Sequence, residues 1–362
     1  MKIGIDLSPV VYGTGVSVYL KNLAETLLKI DQKNDYVFFF SSLRRSLSES
    51  GITLKGENFS VKNFKMPPLL LETLWNQLHL FPVEKFIGEI DVFHASDWAQ
   101  PPAQKTKIVA TIHDLSFLRW PQTAHPQVLA AQKRRLAWVK KEAAKIIAVS
   151  EATKKEIIEL LGIEEKRIEV VYEALPDDLV QIKPKVSLKK FGITKSFVMA
   201  SGSQSERKNI SRTIKAFALL KNKLNLQLAI TGEYKPEDKL DSDIIVTGFI
   251  SRPEWAGLLK AAKALVYPSV YEGFGLPILE AFYLGVPVVT SNLSSMKEIA
   301  GRAALLVDPY SSESIAKGIE KIVSSREANK NLKRLGKKRL KDFSWEKAAR
   351  KTLKIYEQVA KT

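Results

Sequence analysis

Two acidic residues eight positions apart hold the densest chemistry of the chain, in Tyr267-Pro-Ser-Val-Tyr-Glu272-Gly-Phe-Gly275-Leu-Pro277-Ile-Leu-Glu280-Ala, with Gly285-Val-Pro-Val-Val following. The order reads as strand, glycine turn, helix, glycine cap and strand. Pro277 suits a first helical turn, where its missing N–H costs nothing, and Gly285 suits a helix end. Gly273 and Gly275 let backbone N–H groups approach a ligand, and with the helix dipole they make an anion site. A carboxylate at such a place needs a partner other than phosphate. Glu272, before the turn, reaches sugar hydroxyls, and Glu280, expected in the first helical turn, accepts from ribose hydroxyls. Alone, Glu280 reads as an ordinary acid at a helix start. Together with Glu272, both glycines and Pro277, it reads as part of a binding site.

Three further groups follow expected strands. Gly202-Ser-Gln-Ser-Glu-Arg207-Lys208-Asn209 sets two adjacent cations near a helix start, where Arg207 grips a diphosphate bidentately and Lys208 adds a compact charge. A departing nucleoside diphosphate builds negative charge, which this pair would stabilise. Tyr12-Gly13-Thr-Gly15-Val-Ser17 is either a tight turn or a loop that meets a ligand. His113-Asp114 ends a β-branched run, where open α/β sheets keep their ligands, although a lone histidine there is equally a structural one. The four histidines show no metal-ligand spacing. Asp241-Ser-Asp243, in a charged loop with Glu237 and Asp238, reads as surface.

The elements that must position these groups alternate between short β-rich runs and helical patterns, as in βαβ units with parallel sheets. Strands are expected at 2–5, 36–40, 61–64, 92–94, 108–112, 146–149 and 168–170, then at 197–200, 227–230, 244–246, 264–267, 286–289 and 305–307. Helices are expected at 18–30, 70–78, 126–144 and 152–161, with a last one at Trp345–Ala360. A polar, proline-bearing stretch at 173–190 divides the two series and reads as a linker. The fold class is therefore α/β, with two doubly wound Rossmann-like domains. A chain of 362 residues is long enough for both.

Composition narrows the classes. Cysteine is absent, which excludes disulfides, thiolate catalysis and zinc–sulfur sites and fits a cytoplasmic setting. The opening residues read as a strand rather than a secretion signal. No window approaches the roughly 18 apolar residues of a membrane span. Segment 66–81 is apolar but interrupted, and fits either packed core or a lipid-facing surface. The formal charge of +17 favours an anionic surface or substrate. The basic runs do not interleave with aromatics as in single-strand binders, so nucleic acid ranks last.

The Glu272-to-Glu280 motif closely resembles the Glu-x7-Glu signature of retaining glycosyltransferases of family 4, which have the GT-B fold. The likeness extends through Asp91-Val-Phe-His94, Thr111-Ile-His113-Asp114, Arg207-Lys208-Asn209, Thr247-Gly248-Phe249 and Phe343-Ser-Trp345. It implies an N-terminal acceptor domain at 1–175, a donor domain at 176–344, a cleft between them, and a C-terminal helix (345–362) crossing back to the first domain. It implies that Glu280 binds ribose and Glu272 lies near the donor sugar, faced by the backbone of Phe274, Gly275 and Leu276. Arg207 and Lys208 resemble the diphosphate clamp, with Gly202 in the loop before them. Gly15 resembles the glycine loop over the donor, His113 the histidine that touches the transferred sugar, and Phe249 and Ile250 lie near the base.

The expected activity is transfer of a hexose, mannose by the look of the His113-to-Pro121 stretch, from a GDP- or UDP-linked sugar to a glycan or lipid-linked acceptor. No metal or other cofactor is expected, and the protein is expected in the cytoplasm, with contact to the anionic inner face of a membrane. No carboxylate stands out as a covalent nucleophile, so attack is expected from the front face through an oxocarbenium-like state. A sugar-nucleotide epimerase or a non-catalytic nucleotide-sugar binder shares the architecture.

Overall fold

The structure, a computed structural model, describes residues 1–236 and 239–361. Glu237 and Asp238 of the charged loop, and Thr362 at the end of the expected last helix, lie outside the described residues. The chain forms two compact units, one of Met1–Glu173 with the segment from Ser344 onward, the other of Ala174–Phe343.

The first unit holds a parallel sheet of β1 (Lys2–Asp6), β2 (Asp35–Ser41), β3 (Phe59–Phe64), β4 (Val92–Ala95), β5 (Lys107–Ile112), β6 (Ala143–Ala148) and β7 (Ile168–Val170). Its order is β3-β2-β1-β4-β5-β6-β7, so the direction of winding reverses between β1 and β4. The inner strands are buried along nearly their whole length, as helix-covered parallel strands are, which is why they read as unbroken apolar runs. Ser150 caps the helix Glu151–Leu161 through Thr153 N–H. Helix Gly15–Ile30 begins earlier than expected, because Thr14 caps it and shares a capping box with Ser17. Helix Trp345–Ala360, capped by Ser344, packs in this unit: the Trp345 ring lies edge-on to Tyr19, and the Tyr356 hydroxyl bonds His94 at 2.6 Å.

Two expectations need correction. The single helix at 70–78 is instead a turn of α-helix, Pro68–Leu71, running into a wider π turn, Glu72–Gln77. Buried Glu72 takes an ion pair from Arg134 (2.6 Å) and a bond from Gln77 (2.6 Å), and Leu78 N–H reaches back five residues to Thr73. The segment divides by side chain: Leu71 and Trp75 are core, whereas Leu69, Leu70, Leu78, Leu80 and Phe81 are exposed. The stretch at 173–190 also contains a short helix, Asp177–Gln181.

The second unit holds β8 (Phe197–Ser201), β9 (Gln227–Thr231), β10 (Ile244–Gly248), β11 (Leu265–Tyr267), β12 (Val288–Ser291) and β13 (Leu305–Val307). They pair in parallel in the order β10-β9-β8-β11-β12-β13, reversing between β8 and β11. Val198, Ala200, Leu228, Ile230, Val266 and Val289 form its core with helix Ser312–Ser324. Among the described residues, no helix is long and apolar enough to cross a membrane.

Candidate functional site

In a doubly wound sheet, ligands sit outside the carboxyl ends of the strands where winding reverses. In the second unit that place is the mouth of β8 and β11. Gly202 follows β8 directly, and a Cβ there would meet Ile210 at 2.8 Å. Gly232, after β9, has φ +104°, and a Cβ on it would fall 2.2 Å from the Gly202 carbonyl oxygen. Only bare backbone fits at this pair, which opens a floor for a ligand. Above it is a cavity of about 310 Å³ lined by Ser201, Gly202, Ser203, Lys208, Thr231, Gly232, Phe249, Ile250, Trp255, Tyr267 and Pro277.

Arg207 and Lys208 lie in a single 3-10 turn after β8, and Asn209 ends that turn in the left-handed region at φ +61°, which asparagine tolerates better than most residues. The Asn209 amide donates to the carbonyls of Pro268 (2.9 Å) and Pro309 (2.7 Å), while Val270 N–H donates to the Arg207 carbonyl (2.8 Å). These bonds bring the cations to the Glu272 loop. Arg207 Nη1 is 3.0 Å from Glu272 Oε2, Lys208 Nζ is 2.7 Å from Oε1, and Tyr267 donates its hydroxyl to Oε1 at 2.7 Å. Ser294 and Ser295 fix the loop by donating to the Glu272 carbonyl.

Burial pushes the Glu272 carboxyl up, but Lys208 and Arg207 outweigh it and hold the group below its ordinary range. Burial also drives the Tyr267 phenol well above its usual value, so it remains a donor. Two cations against one carboxylate leave a net positive charge beside the cavity.

Glu280 behaves differently. Helix Leu276–Tyr283 starts after Gly275, whose φ of +108° suits glycine, and has no acid in its first turn. Glu280 is thus past the first turn, contrary to expectation, so ordinary helix-start preference does not explain it. Burial raises its pKa, and Arg252 opposes that rise through a close ion pair. The same guanidinium lies 4.8 Å over the Trp255 ring and pairs with Asp178 at 3.5 Å. Phe274 buries its ring edge-on to Phe343, leaving backbone at the turn, and Leu276 is half-buried.

Gly202, Lys208, Phe249 and Ile250 therefore share one cavity wall, and Arg207 and Glu272 join it through Lys208 and Tyr267. Sequence reading gave no role to Arg252, Trp255, Thr231, Gly232 or Tyr267. The Ser251-Arg-Pro-Glu254 capping box is the signal that marked a helix start next to the base-side strand.

The pattern of the Glycosyltransferase Family 4 domain matches residues 13–178, and that of Glycosyl transferases group 1 matches residues 182–339. O-antigen chain mannosyltransferase B of Escherichia coli is 30% identical over 272 residues, 70% of this chain and 71% of that protein. The chain belongs to glycosyltransferase family 4. Its fold is GT-B: sucrose-phosphate synthase of Thermosynechococcus elongatus superposes with a TM-score of 0.73 at 18% identity, covering 99% of this chain and 98% of that one. HepE of Anabaena, solved with UDP-glucose, gives 0.67 at 16% identity over 99% and 100% of the two chains.

In the first unit of this family 4 glycosyltransferase, His113 Nδ1 is 3.2 Å from Glu173 Oε1, its ring stands edge-on to Tyr19 at 4.8 Å, and its buried Nε2 has no hydrogen-bond partner among the described residues. Gly15 is the exposed first residue of its helix, and a Cβ there meets nothing within 4 Å. Gly13, at φ +68°, is the glycine that the turn requires. Asp241 pairs with Lys221, and Asp243 with Lys195, at the surface.

Proposed function

We propose that this glycosyltransferase moves a hexose, mannose by its likeness to the O-antigen mannosyltransferase, from a GDP- or UDP-linked donor to a glycan or lipid-linked acceptor with retention at the anomeric carbon. One observation carries the donor part: Lys208 and Arg207 converge on Glu272 beside a glycine-floored cavity of about 310 Å³. The cations neutralise a leaving diphosphate without a divalent ion, and the Phe249, Ile250 and Trp255 side of the cavity suits a base. Glu280, once its carboxylate leaves Arg252, accepts from ribose hydroxyls.

Retention follows from front-face attack. As the glycosidic bond to phosphate breaks, the sugar takes on oxocarbenium character, and the departing phosphate oxygen accepts the proton of the attacking acceptor hydroxyl. His113 faces the transferred sugar. The exposed Leu69, Leu78, Leu80 and Phe81, in a chain of charge +17, support peripheral contact with an anionic inner membrane face.

The decisive experiment incubates the purified protein with GDP- and UDP-hexoses and identifies products and anomeric configuration, with and without EDTA. Transfer unchanged by EDTA is expected. Lys208→Ala should lower turnover by roughly a hundredfold or more. Unchanged turnover in that variant removes the clamp from the mechanism, and a converted donor without any acceptor product points to an epimerase.

A further inference from the structure

Arg252 is bound to two acids, and the two bonds are unequal. Its Nη2 closes tightly on the buried Glu280 carboxylate, whereas its Nε stands 3.5 Å from Asp178 Oδ2, long for a hydrogen bond. Asp178 Oδ1 is buried and has no hydrogen-bond partner among the described residues. The guanidinium lies over Trp255, which lines the donor cavity with Phe249, Ile250 and Pro277. Asp178 belongs to helix Asp177–Gln181, the first element after the chain enters the second unit at Ala174. The stretch that follows is laid along helix Arg252–Ala261. Lys185 N–H donates to the Pro253 carbonyl at 3.3 Å, Lys190 pairs with Glu254, and a Cβ on Gly257 would fall 2.8 Å from the Lys185 backbone.

We propose that Asp178 is a second seat for Arg252, and that transfer of the guanidinium from Glu280 to Asp178 makes donor binding depend on the ribose hydroxyls. The proposal rests on the ribose role put forward above for Glu280. A ribose diol donates two hydrogen bonds, and a carboxylate already gripped by a guanidinium has fewer lone pairs to accept them. Arg252 must therefore yield. A half-buried guanidinium left without any carboxylate would destabilise the site, and Asp178 removes that penalty. Its bare Oδ1 and loosely held Oδ2 together offer the planar pair that a guanidinium fork takes bidentately. Stacking on a ring face fixes no single hydrogen-bond direction, so the guanidinium can turn over Trp255 from one acid to the other. A nucleotide without ribose hydroxyls offers Glu280 nothing and leaves Arg252 in place. Because Asp178 lies on the chain's entry into the unit, the transfer also ties helix Asp177–Gln181 more closely to helix Arg252–Ala261.

The test measures binding of GDP and UDP, and of their 2′,3′-dideoxy counterparts, to the whole chain by calorimetry. Wild type should favour the ribonucleotide by about tenfold or more, as hydrogen bonds to a charged group do. Asp178→Asn should weaken the ribonucleotide about tenfold and the dideoxynucleotide by less than about twofold, so that the preference for ribose largely disappears. A merely structural role for Asp178 would weaken both nucleotides alike. That result, or an unchanged preference in Asp178→Asn, overturns the proposal and leaves Glu280 at the ribose. Wild-type binding indifferent to the ribose hydroxyls, or no binding of any nucleotide, overturns the ribose role of Glu280 and the proposal with it. Hydrogen exchange gives a second readout. At equal saturation, helix Asp177–Gln181 of the wild type should exchange more slowly with the ribonucleotide than with its dideoxy counterpart, and Asp178→Asn should lose that difference. Equal exchange with both nucleotides in the wild type rejects the second seat.

Discussion

Glu272 and Glu280 show how one motif yields two different carboxylates. Both are buried, and burial raises both, but Glu272 meets two cations and a phenol and ends below its ordinary range, while Glu280 meets one guanidinium and stays above it. Sequence spacing identified the two acids because a glycine turn and a proline frame them. It could not identify Arg252, whose pairing with Glu280 is set by the approach of two helices rather than by local pattern. Removing Arg252 leaves a carboxylate only 5% exposed without its counter-charge. A broken buried pair costs about 3–5 kcal/mol, and because the Arg252 side chain is 32% exposed, about 2 kcal/mol is expected for Arg252→Ala. The pH dependence has a definite sign. Arg252 opposes the upward shift of Glu280, so its loss raises that pKa further. A raised acid contributes stability below its unfolded value and loses it as pH rises through the folded value. Denaturant unfolding should therefore show a larger deficit for Arg252→Ala at pH 8 than at pH 5, and an equal deficit at both would remove the coupling.

The inner parallel strands were legible because they are short apolar runs buried on both faces, and the observed β1 to β13 fall on the runs expected from sequence. Segment 68–77 was not, because its π turn follows from a tertiary ion pair between Glu72 and Arg134 that no local periodicity encodes. The C-terminal helix Trp345–Ala360 had a clear helical pattern, but its destination in the first unit came from the family resemblance and not from that pattern. Its anchor is polar: His94 bonds Tyr356 with Nδ1 (2.6 Å) and Thr111 with Nε2 (2.7 Å), deep in the first unit. Burial drives His94 down to about 3, so it stays neutral in the fold. A depressed histidine stabilises the fold above its unfolded value near 6.5, and that stability declines as pH falls from there toward 3, by up to about 1.4 kcal/mol per pH unit. Tyr356→Phe strands one ring nitrogen at a cost of about 1–3 kcal/mol, measurable by urea unfolding at pH 7.5. If Tyr356→Phe were neutral, packing by Trp345, Ile355 and Val359 alone would hold the helix.

At the scale of the molecule, each unit repeats the same device, a parallel sheet whose winding reverses once and gathers polar groups at that mouth. In the second unit that mouth carries Arg207 and Lys208 beside Glu272, and the proposed diphosphate site follows from their charge. Every side chain assigned to diphosphate, ribose or base lies within Ala174–Phe343, whereas His113, expected at the transferred sugar, and Gly15, expected in the loop over the donor, lie in the first unit. Hydrogen exchange separates these contributions. A nucleoside diphosphate at about a hundred times its Kd stabilises what it binds by about 2.7 kcal/mol, so exchange should slow about a hundredfold where opening requires release of the ligand. GDP or UDP alone should slow exchange in the loops after β8 and β11 and at the start of helix Leu276–Tyr283. Exchange unchanged in those loops at saturating nucleotide would remove the diphosphate from the mouth of β8 and β11, and the assignment of Arg207 and Lys208 to it would fall.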